Sequence, residues 1–84
     1  MYRVIIPGVI QRSISRIKGR LAERIGLAID KLAADPRPHG CLKMKITKEW
    51  RIRVGNYRIR YTIDDTQRVV RITGVSPRDD AYMK

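Results

Sequence analysis

The sequence has one cysteine, one histidine, no phenylalanine and only eight acidic side chains among its 84 residues. Each scarcity closes off a chemistry. The lone Cys41 rules out an internal disulfide, fits a reducing compartment and reads as a small apolar filler beside Leu42. His39 lies in a loop between Pro38 and Gly40, and the carboxylates Asp64-Asp65 and Asp79-Asp80 are adjacent pairs suited to turns and solvation. Metal ligands have to converge from spaced positions, so no metal site is expected. No glycine-rich strand-to-helix turn is present, so ATP and NAD are not expected and the chain needs no cofactor. No apolar run approaches the roughly 18 residues of a membrane span, and Met1–Gly8 lacks the long apolar region of a signal peptide. A cytoplasmic protein is expected.

Positive charge is plentiful. Nineteen Lys and Arg against eight Asp and Glu give a formal net charge of +11 and a pI near 10.7, which points to a polyanionic partner. The arginines are placed with a period. In Trp50–Tyr61, Trp50, Ile52 and Val54 fall on one face of an extended strand and Arg51 and Arg53 on the other. After Gly55-Asn56 the division returns, with Tyr57, Ile59 and Tyr61 opposed to Arg58 and Arg60. Two strands joined by this turn present four guanidiniums above an apolar floor. A solvated face would be served equally by lysine, threonine or glutamate, and arginine's planar fork is the better match to phosphate.

The rest of the chain supplies the scaffold. Tyr2–Ile6 is a β-branched run stopped by Pro7-Gly8. From Val9, Ile10, Ile14, Ile17 and Leu21 recur at helical spacing with Arg12, Arg16 and Lys18 opposite, and Gly19 breaks the helix. Leu21, Ile25, Ala28, Ile29 and Leu32 form the stripe of a second helix, in which Gly26 is expected to permit close approach of a neighbour. Asp35-Pro36-Arg37-Pro38 ends it. Leu42, Met44 and Ile46 then alternate with Lys43, Lys45 and Thr47, and Asp64-Asp65-Thr66 turns the chain into a last strand, Arg68–Val75. The expected architecture is a single α+β domain: an N-terminal strand, a two-helix hairpin over Val9–Ala34, then a four-strand antiparallel sheet segment. The hairpin covers Leu42, Met44, Ile52, Val54, Ile59, Ile63, Val70 and Ile72. The free face carries Arg51, Arg53, Arg58, Arg60 and Arg71, and Lys43 and Lys45 extend it. Trp50, Tyr57 and Tyr61 are expected in the core. In the tail beyond Pro77, Arg78 and Tyr82 stand four residues apart, so a helical turn there would bring both side chains out on one side, at the margin of the arginine face.

One reaction class needs neither metal nor histidine. RNA carries its own nucleophile, the 2′-hydroxyl, and cleavage requires only that it be held in line with the adjacent phosphodiester while the developing oxyanion is neutralised. Arginine suits the second task and is a poor proton acceptor for the same reason. Tyr82 can stack on a base or donate a hydrogen bond.

Asp35-Pro36-Arg37-Pro38-x-Gly40, Leu42-Lys43, the arginine segment Trp50–Tyr61 and Arg78-Asp79-Asp80-Ala81-Tyr82 together resemble the RelE/ParE superfamily of bacterial and archaeal toxins. The resemblance implies a RelE-like fold and a toxin of a type II toxin–antitoxin system that cuts messenger RNA in the ribosome without metal. It implies a cognate antitoxin, acidic where it binds, and the ribosome and mRNA as partners. Catalytic positions carried over are Arg51, Arg53, Arg58, Arg78 and Tyr82. Arg58 would stabilise the phosphate, Arg78 would act as general acid, and Tyr82 would stack on the substrate base. Lys43, Lys45, Arg60 and Arg71 are the accessory RNA-binding positions. Well-studied RelE has lysines where this chain has Arg51 and Arg53, and lysine loses a proton far more readily than arginine, so the proton acceptor is open. Relatives of the ParE type share the fold and inhibit DNA gyrase without cutting RNA; a small RNA-binding module with no activity is the third reading.

Overall fold

The arginine hairpin forms with the register its alternation requires. In a computed structural model of the protein, which describes residues 1–77, strand β3 (Trp50–Val54) pairs antiparallel with β4 (Tyr57–Asp64). Ile52 stands opposite Ile59 and Val54 opposite Tyr57, so every apolar side chain of one strand meets an apolar partner on the same face. A slip of one residue would put the guanidiniums into the core. Gly55 makes the turn with φ of 59°, a value that a two-residue connection of the II′ kind demands at its first position. A Cβ there would also come within 3.0 Å of Leu21 Cδ1.

The sheet has five strands in the order β1-β5-β4-β3-β2. The N-terminal strand β1 (Arg3–Ile5) pairs parallel with β5 (Val69–Pro77), and the remaining pairings are antiparallel. The sheet is therefore mixed, which the expected antiparallel segment does not include. Two helices, α1 (Gly8–Ser15) and α2 (Arg20–Lys31), form the crossover between β1 and the sheet's other half. Their stripes bury Ile10, Ile25 and Ile29, and Leu32 at the end of α2, against Val54, Ile59, Tyr61, Val70 and Ile72. Gly26 has nothing within 4 Å of a Cβ position, so it serves no close approach. No described helix is long and apolar enough to cross a membrane.

Strand β2 is the principal departure from the sequence pattern. It comprises Leu42–Lys43 alone, after which the chain turns through Thr47 and Lys48, the latter at φ of 62°. Leu42 pairs with Arg51 and is 53% exposed, so it lies on the arginine side and not in the core. Met44 is half-buried outside the core cluster, and Ile46 is 93% exposed. The alternation of these residues has the right period but no helix above it to bury one set.

Polar ties fasten the loops at the sheet's edge. Tyr61 is fully buried, and its hydroxyl donates to the Pro36 carbonyl at 2.7 Å. Burial pushes that hydroxyl well above the ordinary phenol range and keeps it a donor. Arg37 reaches the β4–β5 turn, donating to both carboxylate oxygens of Asp65, and its guanidinium lies 5.0 Å from the Trp50 ring centroid. Tyr2 donates to the same carboxylate. The Arg37 guanidinium, and after it the Tyr2 hydroxyl, hold Asp65 below the usual carboxylate range. A lowered folded-state value gives stability that is present above the unfolded pKa and lost as pH falls through the folded one. The melting temperature of Asp65→Asn should accordingly lie below wild type at neutral pH, and the gap should narrow as pH falls below about 4 in thermal scans.

Candidate functional site

Strand pairing turns one face of the hairpin into an array of guanidiniums. Arg53 stands directly opposite Arg58, and Arg51 directly opposite Arg60. Like charges placed across an antiparallel pair oppose folding, each by a fraction of a kcal/mol up to about 1 kcal/mol. Two such pairs in succession are a cost that packing does not require, since their apolar floor would be covered equally by threonine. The array is what an anion needs. Arg53→Thr should raise the melting temperature by roughly 2–4 °C, the response of a domain this size to about half a kcal/mol, while weakening anion binding.

The sheet continues the array toward β1. Arg58 pairs with Ser76, Arg60 with Gly74, and Thr62 with Arg71. Arg71 stands beyond the hairpin, where it shares a shallow groove of about 320 Å³ with Arg3, Thr62, Asp64 and Gln67. It is thus on the expected face but not in the cluster. Lys43 is not on that face: it pairs with Trp50, with its ammonium 5.7 Å from the indole centroid. Lys45 follows in the turn after β2, where Lys43, Met44, Lys45 and Lys48 line a separate depression. The two lysines form their own patch because the short β2 inverts the phase assumed for them. Arg78 and Tyr82 lie outside the described residues.

Besides Asp64 at the groove, this face holds a second acidic residue, which strand alternation alone does not single out. Glu49 precedes β3 with the parity of Arg51 and Arg53. Its Oε2 accepts a 2.6 Å hydrogen bond from the Thr73 hydroxyl, its Oε1 accepts one from Thr47 at 3.3 Å, and Oε1 lies 3.9 Å from Arg60 Nη1. Its parity with the arginines is the one trace it leaves in the sequence. Thr73 is the extra residue where the β4–β5 register shifts, so it reaches across only because of that bulge. Among the described residues no three His, Cys, Asp or Glu side chains are grouped to hold a metal ion.

A model of the ParE toxin of type II toxin–antitoxin systems matches residues 9–82. The chain belongs to the RelE/ParE toxin superfamily. Its fold is that of RelE structures. The archaeal RelE–RelB complex from Pyrococcus horikoshii contains a chain that superposes with a TM-score of 0.83 at 25% identity, over 92% of this chain and 94% of that one. The toxin–antitoxin complex RelBE2 from Mycobacterium tuberculosis gives 0.78 at 22% identity, over 92% of this chain and 98% of that one. The isolated E. coli RelE toxin gives 0.78 at 15% identity, over 92% and 84%. Among curated protein sequences none matches the chain. Sequence so divergent on a fold so similar leaves the superfamily toxin's activity to be argued from its own arginine face.

Proposed function

We propose that this toxin is a metal-independent endoribonuclease that cleaves mRNA on the ribosome. The observation that carries the reading is the pair of cross-strand arginine couples, Arg53–Arg58 and Arg51–Arg60, on one open face. In the reaction the 2′-oxygen attacks the adjacent phosphorus, the bond to the 5′-oxygen breaks, and a proton passes from the 2′-hydroxyl to the departing oxygen through the site. Products are a 2′,3′-cyclic phosphate and a 5′-hydroxyl. Charge develops on the non-bridging oxygens, where guanidiniums fixed by strand pairing are worth more than in water and need no reorganisation. Arg58 and Arg78 take that role, Arg51 and Arg53 position the backbone, and Tyr82 stacks on or orients a base. Among the described residues on the open face, Arg51 and Arg53 stand where RelE has lysines, so positioning is their stronger contribution.

Regulation follows from the same charge. A face with four guanidiniums requires masking between bouts of activity, and an antitoxin acidic in its binding segment, laid as a helix or strand over the sheet or the helical hairpin, would supply it. Growth arrest on expression, relieved by the product of the neighbouring gene, is the expected result.

The family match to ParE favours a second reading, inhibition of DNA gyrase by binding. Purified protein incubated with programmed ribosomes, and in parallel with gyrase and relaxed plasmid, separates the two. Truncated mRNA with supercoiling intact supports the nuclease; blocked supercoiling with intact mRNA replaces it.

A further inference from the structure

Arg60 is held in a way that a general contribution to positive charge does not need. It stands opposite Gly74 on β5, and its guanidinium lies so low over that residue that a Cβ there would fall 2.7 Å from Cζ and 2.9 Å from Nε. Only glycine permits the side chain to lie flat across the strand. At the far edge, Nη1 faces the Glu49 carboxylate at 3.9 Å, and that carboxylate is itself fixed by Thr73 and Thr47. The Glu49 side chain is 16% exposed and that of Arg60 41%, so the carboxylate is sheltered while the guanidinium keeps a free edge.

A long arginine side chain loses rotamer freedom when it grips an anion, and the loss weakens binding. Here the steric slot at Gly74 and the carboxylate at Glu49 impose that order before any ligand arrives. A negative charge beside the guanidinium opposes phosphate binding, but it engages one edge of a group with five N–H donors and leaves the rest available. Four paired arginines outweigh the sheltered Glu49 carboxylate and the exposed Asp64 farther along β4, so the face stays positive.

We propose that Glu49, Thr73 and Gly74 are positioning residues that hold Arg60 flat across β5 as a preset donor to an RNA backbone phosphate, neighbouring the one gripped by Arg53 and Arg58. The proposal rests on the ribonuclease reading and names a phosphate subsite within it. Arg60 sits one register step from the Arg53–Arg58 couple, toward the Thr62–Arg71 end of the sheet, so the strand runs over β4 and β5 beyond the cleaved position.

Gly74→Ala tests it without removing a charge. The new methyl adds nothing to the core, and the atoms it meets are the end of a flexible side chain, so the protein folds and the guanidinium swings aside. Binding is measured to ribosomes programmed with mRNA bearing a 2′-O-methyl group at the scissile nucleotide, with thermal unfolding followed alongside. Arg60→Ala and Gly74→Ala should each weaken binding about 5- to 10-fold. For Arg60→Ala the slope of log affinity against log salt should also fall by about 0.7, the signature of one lost phosphate contact on a single strand. The double variant should bind no worse than Arg60→Ala alone, because Gly74 acts through Arg60. Glu49→Gln should weaken binding in the wild-type background and have no effect in Arg60→Ala. Unchanged binding by Gly74→Ala, or losses that multiply in the double variant, would overturn the positioning role and leave the nuclease reading standing. Absence of binding by the unsubstituted protein would overturn both.

Discussion

Arg58→Ala should slow mRNA cleavage on programmed ribosomes by about 100-fold or more in single-turnover assays, with the melting temperature little changed or raised. The two outcomes separate because Arg58 stands on the open face opposite Arg53 and Ser76, away from the core its neighbour Ile59 occupies. Removing it relieves a like-charge pair while withdrawing the guanidinium that, on the proposed mechanism, stabilises the phosphorane-like charge. The loss should appear in the rate of the bound complex more than in affinity, since Arg51, Arg53 and Arg60 still hold the backbone. Expression of the variant should no longer arrest growth. Arg60→Ala, by contrast, should lower affinity several-fold and keep most of the cleavage rate, because its phosphate is a neighbour of the one that reacts.

The opposite pattern is expected from Ile59→Ala. Ile59 is fully buried between the sheet's central strands and the helices, and pairs with Ile52 and Val75. Truncating a buried isoleucine costs about 2–5 kcal/mol through lost transfer energy and the cavity left behind. In a domain of 84 residues that corresponds to a fall in melting temperature of roughly 8–40 °C. Such a loss is a large part of the few kcal/mol that hold a small domain folded. Cleavage measured well below the new melting temperature should remain near wild type, because the strand register that aligns the arginines is kept by Val54–Tyr57 and Trp50–Tyr61 on either side. Circular dichroism melts together with the same ribosome assay read both quantities.

The contrast between these two substitutions reflects what strand and helix periodicity encode. Wherever a strand has one buried and one open face, alternation specifies both register and which side chains are left outside, so the β3–β4 hairpin and its arginine couples could be read from Trp50–Tyr61 directly. The helical stripes were equally plain, and Ile10, Ile25, Ile29 and Leu32 are buried as their spacing requires. Leu42, Met44 and Ile46 alternate just as cleanly, yet Leu42 faces outward beside Arg51. Phase there is decided by where a two-residue strand meets its partner, a long-range event with no local signature. The placement of Lys43 against Trp50 follows from that same step. The parallel docking of β1 on β5 is likewise a property of the crossover, not of Tyr2–Ile6.

Two further features leave only faint traces in the sequence. Ile72 and Val75 both face the core although they are three apart, which breaks the period of two and marks the bulge at Thr73. That bulge brings Gly74 opposite Arg60 and Thr73 within reach of Glu49. Glu49 itself carries the parity of the arginines, but a single carboxylate beside a basic run reads as solvation until its partners are seen. Side-chain partnerships between distant strands are the part of a site that sequence periodicity does not encode.

Sequencing the ends of mRNA cut on ribosomes by the purified toxin tests the central claim most directly. The reaction should proceed with EDTA present at magnesium just sufficient to keep ribosomes assembled. It should leave a 5′-hydroxyl on one fragment and a 2′,3′-cyclic or 3′-phosphate on the other, because the attacking oxygen is the RNA's own. A 5′-phosphate would reveal water as the nucleophile and contradict the arginine-face mechanism, and intact mRNA beside blocked gyrase supercoiling would transfer the protein to the gyrase-inhibiting branch of its superfamily.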